Sequence, residues 1–275
     1  MKKMKSAAAC IAAMLLAGMM SGCTGTKVTC ESLLDAYAKQ TAEQQSVSML
    51  ITTETDTMLH FDDADDIRSD YVVKTEADTV GNDAHIVHVT TSEASDEASP
   101  KTNAPQEYYY IYDAAASQKT GYLLDSADPV MYQLDTPDYV YPTAVLDLSS
   151  SLSGLTLNPA PAAFNGTECY ELDGKMTWET FRQTIGQQMI WVVPDMEAGT
   201  DLSDIQFDVK VYFTKDDRKL AGIYTDALAP LNTVIARAAG EMHTQTVERA
   251  EIIVSDIQYN TGKTIALPAD REIIA

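Results

Sequence analysis

Basic residues are scarce in this sequence. The 275-residue chain carries 19 Lys and Arg against 41 Asp and Glu, a formal net charge of −22. Nucleic-acid binding needs a basic footprint, so that partner class is excluded. Flat docking on anionic lipid needs Lys and Arg at the surface and is excluded on the same ground. Cysteine is sparse too, with four in the chain, and none form the Cys-x-x-Cys spacing of a zinc site. No Gly-x-Ser-x-Gly or Ser-x-x-Lys occurs, so two signatures of serine acylation are missing. No glycine-rich phosphate loop occurs either; Gly166 and Gly174 flank a strand, as hairpin glycines do. These absences leave no catalytic residue, metal or cofactor to assign, and the chain reads as a non-enzyme.

Some residues still invite a chemical reading. In "DDADDIRSD", Asp62, Asp63, Asp65, Asp66 and Asp70 crowd together, but the glycine that turns a calcium-binding loop is missing. A solvated acidic turn is the first reading, a weak calcium site the second. The histidines are His60, His85, His88 and His243. In "HIVH" the apolar neighbours favour a strand, where a spacing of three throws His85 and His88 to opposite faces. "YYYIY" is the most suggestive binding feature: alternation puts Tyr108, Tyr110 and Tyr112 on one face. Such a ladder can stack on a ligand or line a groove. It can equally serve cross-strand pairing within a sheet.

Long apolar runs are missing except at the start. Ala7 to Met20 is about 14 residues, or about 21 Å as helix, short of a hydrocarbon core of roughly 30 Å. Lys2, Lys3 and Lys5 precede it and small residues follow, the layout of a secretory leader. Met20-Ser21-Gly22-Cys23 resembles the bacterial lipoprotein signal: an apolar residue, two small ones, then Cys. That resemblance implies that residues 1–22 are removed and that Cys23 takes the lipid. Residues 23–29 would then be a lipidated tether and residues 30–275 one α+β domain. The expected location is the extracytoplasmic face of a cell membrane, with the membrane as partner through the N-terminal lipid. Two or more acyl chains anchor stably where one does not. Losing the basic leader leaves the rest near a charge of about −25, which keeps it well solvated. Of the other cysteines, Cys30 and Cys169 could form a disulfide in an exported protein or remain two buried thiols.

Periodicity outlines the rest. Leu33, Leu34, Tyr37, Ala38 and Thr41 form one stripe of a helix over 31–45, capped by Thr29 or Ser32. A period of two follows from Val47. Strands are expected over 70–78, 84–91, 107–113, 121–125, 130–134 and 167–176, with a loop over 92–106. Pro142 to Gly154 and Thr177 to Met189 read as helices, the second lined by Trp178, Phe181, Ile185 and Met189. "FDVKVYF" alternates cleanly and pairs through "TKDDRK" with 220–226. A helix over 230–239 and a strand over 244–259 close the chain. Few strands are separated by helices long enough for parallel crossovers, so the sheet should be antiparallel, with helices on one face, in an α+β layout.

This arrangement resembles the bacterial lipoproteins of the LolA/LppX-like fold. The matching pieces are the motif at Cys23, the helix running into "SVSMLITTETD", the hairpin "FDVKVYFTKDDRKLAGIYTDA" and the closing "IIVSDIQYNTGKTIALPAD". The resemblance implies a curved antiparallel half-barrel with helices packed on its concave face, in several members also holding acyl chains. It implies an apolar or amphiphilic ligand in a groove between sheet and helices. The alternative is an envelope interaction or sensory protein whose groove is filled by its own side chains. The family supplies no catalytic motif.

Overall fold

The computed structural model describes residues 27–60, 65–95, 97, 99–125, 130–135, 139–194, 200–239 and 245–274. Cys23, the leader, Asp62, Asp63 and His243 lie outside the described residues.

Helix α1 (Cys30–Thr41) starts at a reciprocal cap: the Thr29 hydroxyl accepts from Ser32 N at 3.1 Å, and Thr29 N donates to Ser32 Oγ at 2.9 Å. It ends sooner than the periodicity predicts. The Thr41 hydroxyl folds back onto Tyr37 O at 3.0 Å, and Gln44 N donates to Thr41 O as the chain turns into the sheet. Six strands and a short one follow: β1 (Ser46–Leu59), β2 (Ile67–Val80), β3 (Asp83–Ala94), β4 (Lys101–Thr102), β5 (Gln106–Asp113), β6 (Gln118–Asp125) and β7 (Val130–Leu134). The predicted loop 92–106 is shorter than expected, because β3 runs on to Ala94 and β4 pairs back onto it.

The segment expected as one helix from Pro142 is two short pieces. A 3-10 turn (Pro142–Leu146) stops at Asp147, whose backbone leaves the helical region (φ −79°, ψ 81°) and whose carboxylate then caps α2 (Leu148–Ser151) at Ser150 N. Strands β8 (Ser153–Phe164) and β9 (Thr167–Thr177) form a hairpin. The predicted helix 177–189 also divides. Thr177 caps α3 (Trp178–Gln183), the chain breaks at Thr184, and a 3-10 helix (Gln187–Val192) continues. The break matters for packing: a Cβ on Gly186 would collide with the Phe181 ring. Then come β10 (Gln206–Thr214), β11 (Leu220–Asp226), α4 (Leu228–Ala239), β12 (Gln245–Tyr259) and β13 (Glu272–Ile274).

The described strands form one open, curved sheet in the order β13-β7-β6-β5-β3-β2-β1-β12-β11-β10-β9-β8, with β4 beside β3. All pairs are antiparallel except β13 with β7. Two runs of sequential hairpins thus meet at a central seam between β1 and β12, each about 46 Å long at a strand rise of about 3.3 Å. Bulges in the seam help bend it. One sits at Asp256, which takes a left-handed φ of 53° as the register slips between Ser48 and Leu50.

One face of the sheet carries the main core. Met49, Ile51, Ile86, Phe207, Val211, Ile252 and Val254 from the strands join Leu33, Leu148, Trp178, Phe181, Leu231 and Ile235 from the helices. Phe181 and Phe207 stack at 3.8 Å and 7°. The other face is covered at one end by the tail after β12. There Ile265 and Leu267 pack on Tyr109, Leu124 and Met131.

Candidate functional site

The site grows out of the α1 stripe. Five residues fall on that stripe, but the structure divides them. Leu33 is buried against the sheet, Leu34, Ala38 and Thr41 line a pocket beside it, and Tyr37 is buried while also reaching the pocket wall. The opposite wall is the junction from Leu146 to Ser149. The floor is the start of β1 (Ser46, Val47) and the end of β12 (Tyr259). The pocket has a volume of about 520 Å³, within the usual range for small-molecule sites, and its walls are mainly apolar.

A hydrogen-bonded chain fastens the two walls together. Tyr37 OH donates to Leu146 O at 2.7 Å. That uses its one hydrogen, so the 2.6 Å contact with Tyr259 OH has Tyr259 as donor. Burial, with Tyr259 beside it, pushes the Tyr37 phenol well above its ordinary range, so it stays protonated. Two carboxylates stand among the lining residues, Asp35 and Asp147. Hydrogen bonds from Ser149 and Ser150 hold Asp147 below the usual carboxylate range. Among the described residues, no Lys, Arg or His lines the pocket.

The tyrosine ladder has its predicted alternation and lies elsewhere. Tyr108 and Tyr110 stand opposite Ile86 and Ala84, on the helix-bearing face. Their ring surfaces meet the chain's own side chains. Tyr110 stacks on Tyr139 at 4.1 Å and 9°, Tyr141 leans on both, and Tyr108 meets His88 edge-on at 5.3 Å. Lys119 Nζ sits 4.4 Å from the Tyr141 ring centre. Burial pushes Tyr139 and Tyr141 up to about 12. Tyr112 shares that face, and its backbone N–H donates to Asp83 at 2.8 Å.

His85 and His88 point to opposite faces, as the strand reading predicts. His88 is held between Thr75 Oγ1 at 2.8 Å and the Gln188 amide at 3.1 Å, and burial lowers its pKa to about 4. It is therefore neutral, donating from Nδ1 and accepting at Nε2. His85 pairs with Glu107 at 3.2 Å and stacks on Tyr109. His60 bonds Asp66 at 2.8 Å, and Asp70 pairs with Arg68 at 2.9 Å, so two members of the acidic run already have partners. Cys30 and Cys169 are free, not bridged. Each thiol lies 3.4 Å from a carbonyl, that of Leu155 for Cys30 and that of Thr167 for Cys169, and burial pushes both thiols up.

No family model and no curated protein matches the chain. Solved structures do. LprF from Mycobacterium bovis is similar at 10% identity, over 87% of this chain and 97% of that one, with a TM-score of 0.41. LppX from Mycobacterium tuberculosis follows at 11% identity, over 86% and 98%, with a TM-score of 0.38. A LolA superfamily protein from Nitrosomonas europaea gives 11% identity over 88% and 96%, with a TM-score of 0.28. The site rests on this chain's own residues.

Proposed function

We propose that this chain is a membrane-anchored envelope lipoprotein that holds an apolar or amphiphilic ligand. The helices lie on the concave side of the sheet, and the ligand's tail enters the gap between α1 and the Leu146–Ser149 wall. The carrying observation is the roughly 520 Å³ apolar pocket beside α1, which no side chain among the described residues fills. Its role is binding rather than catalysis. Cys23 supplies the anchor and turns the protein toward the extracytoplasmic side.

Two measurements test this. Labelled palmitate should enter the wild type and fail to enter Cys23→Ser; equal labelling removes the anchor. Unbranched alcohols of increasing length should bind about fourfold tighter per methylene until the pocket is full, since each buried methylene contributes about 0.8 kcal/mol. Affinity independent of length refutes the pocket.

A second reading keeps the anchor without the ligand. It is supported by the centre of the helix-bearing face, where Trp178, Phe181 and Phe207 stack and Tyr139 covers Tyr110. There the chain fills its own groove, as an interaction or sensory protein would. Protein recovered from its native membrane without lipid, and failing to take alcohols, selects this reading.

A further inference from the structure

The pocket has a chemical preference written into its polar atoms. Four hydroxyls on its walls have spent their hydrogens inside the protein. Tyr37 donates to Leu146 O, Tyr259 to Tyr37, Thr41 to Tyr37 O, and Ser149 to the Asp147 carboxylate at 2.8 Å. What these groups offer a guest is lone pairs. Gln44, also on the wall, keeps its Oε1 buried with no donor among the described residues, while one hydrogen of its amide nitrogen goes to Gln40 O. Asp35 and Asp147 add negative charge, and neither has an ion-pair partner among the described residues. Lys263, which pairs with Asp78 next to lining residue Thr79, has its charge answered there at 2.7 Å. The pocket is thus apolar within, rich in acceptors and negative at its edge.

We propose that the ligand is an amphiphile whose head is a hydrogen-bond-donating cation, a long-chain ammonium in the simplest case, and that anionic amphiphiles are rejected. This rests on the reading of the pocket as a tail-binding site. A fatty carboxylate or a phosphate ester would set its charge against two carboxylates and find no cation among the lining residues. An ammonium meets opposite charge and places its N–H donors on atoms that accept. A hydroxyl head is intermediate, with donors but no charge. The carboxylates stand at the pocket's edge, so the preference weakens with salt.

The test uses the full chain and three probes of one tail length, dodecylammonium, dodecanol and dodecanoate, below their micelle concentrations, read by native mass spectrometry and by equilibrium dialysis. Dodecylammonium should bind at least about tenfold tighter than dodecanoate at low salt, with dodecanol between, the size expected for two nearby charges in a largely aqueous setting. Asp35→Asn should cut the cation-to-anion ratio about fivefold. It is chosen beside Asp147→Asn because Asp147 also caps α2. Ala38→Trp, on the exposed side of α1, should fill the pocket and abolish the preference. Equal binding of all three probes overturns the head selectivity and leaves the tail site standing. No binding of any probe overturns the tail site itself. A cation preference that survives Ala38→Trp belongs to the acidic surface at large and overturns the proposal. A preference for dodecanoate overturns it outright.

Discussion

Replacing Tyr37 by Phe removes one oxygen from the joint between α1 and the far wall of the pocket. The ring stays in place, edge-on to Phe213 at 5.8 Å and 72°. The lost oxygen has two partners. Leu146 sits 6% exposed, so its carbonyl is left without a donor where water reaches poorly. Tyr259 is only half-buried, and its hydroxyl can turn to solvent. A buried acceptor left unmet costs about 1–3 kcal/mol, and Leu146 O carries most of it. We expect a loss of about 2 kcal/mol, which in a chain of this size lowers Tm by about 4–8 °C. Tyr259→Phe leaves the Leu146 bond intact and should cost about 1 kcal/mol or less. The double variant should then fall short of the sum by about 0.5–1 kcal/mol, because the shared hydrogen bond is lost only once. Urea unfolding of the four proteins measures all three numbers. A Tyr37→Phe variant within 0.5 kcal/mol of wild type, or strict additivity, would refute the joint as described.

Three further expectations follow from the packing. Phe181→Ala removes a fully buried ring stacked on Phe207 and leaned on by Gly186, and should cost about 3–5 kcal/mol by denaturant unfolding; a loss under 1 kcal/mol would mean the helix-bearing face is not packed as seen. A Cβ on Gly222 would strike the Phe164 ring and stand 2.6 Å from Val254 O, so Gly222→Ala should lose about 1–3 kcal/mol, visible as a lowered Tm. His88 binds its proton less readily when folded (about 4) than its ordinary 6.5, so the unfolded chain takes up protons first as pH falls. The His88 contribution should lower stability by about 3 kcal/mol between pH 6.5 and 4, and His88→Gln should flatten that part of the slope in unfolding measured across the range.

The strands were the most legible part of the sequence. The alternation of Phe207, Val209, Val211 and Phe213 gives β10, and β7 and β11 fall on the residues predicted. Strand β8 has no clean sequence signal, since Pro159 and Pro161 interrupt it. They are tolerated because β8 is an edge strand with β9 on one side alone. The apolar spacing over 177–189 persists through Gly186 and predicts one helix, but the backbone leaves the helical region at Thr184, and Gly186 leaves room for the Phe181 ring five residues back. The pocket was hidden for a different reason. Its signal was present in the α1 stripe, which holds more apolar positions than the sheet beneath it covers. Periodicity says that a side is oily, not whether a sheet or a vacancy faces it. The tyrosines drew attention as a binding ladder, and their partners, Tyr139 and Tyr141, come from a segment with no periodicity to announce them.

The pairing of β1 with β12 has a kinetic cost. Val47 lies against Tyr259, roughly two hundred residues away in the chain, and every contact of that central ladder is of this long-range kind. Hairpins on either flank can zip early from local contacts, but the two wings stay unjoined until β12 (Gln245–Tyr259) has emerged. Topologies dominated by such distant contacts fold slowly. A nascent molecule of this protein therefore carries a bare edge on β1 from its early synthesis until β12 emerges, and a chaperone that shields strand edges has its longest opportunity there.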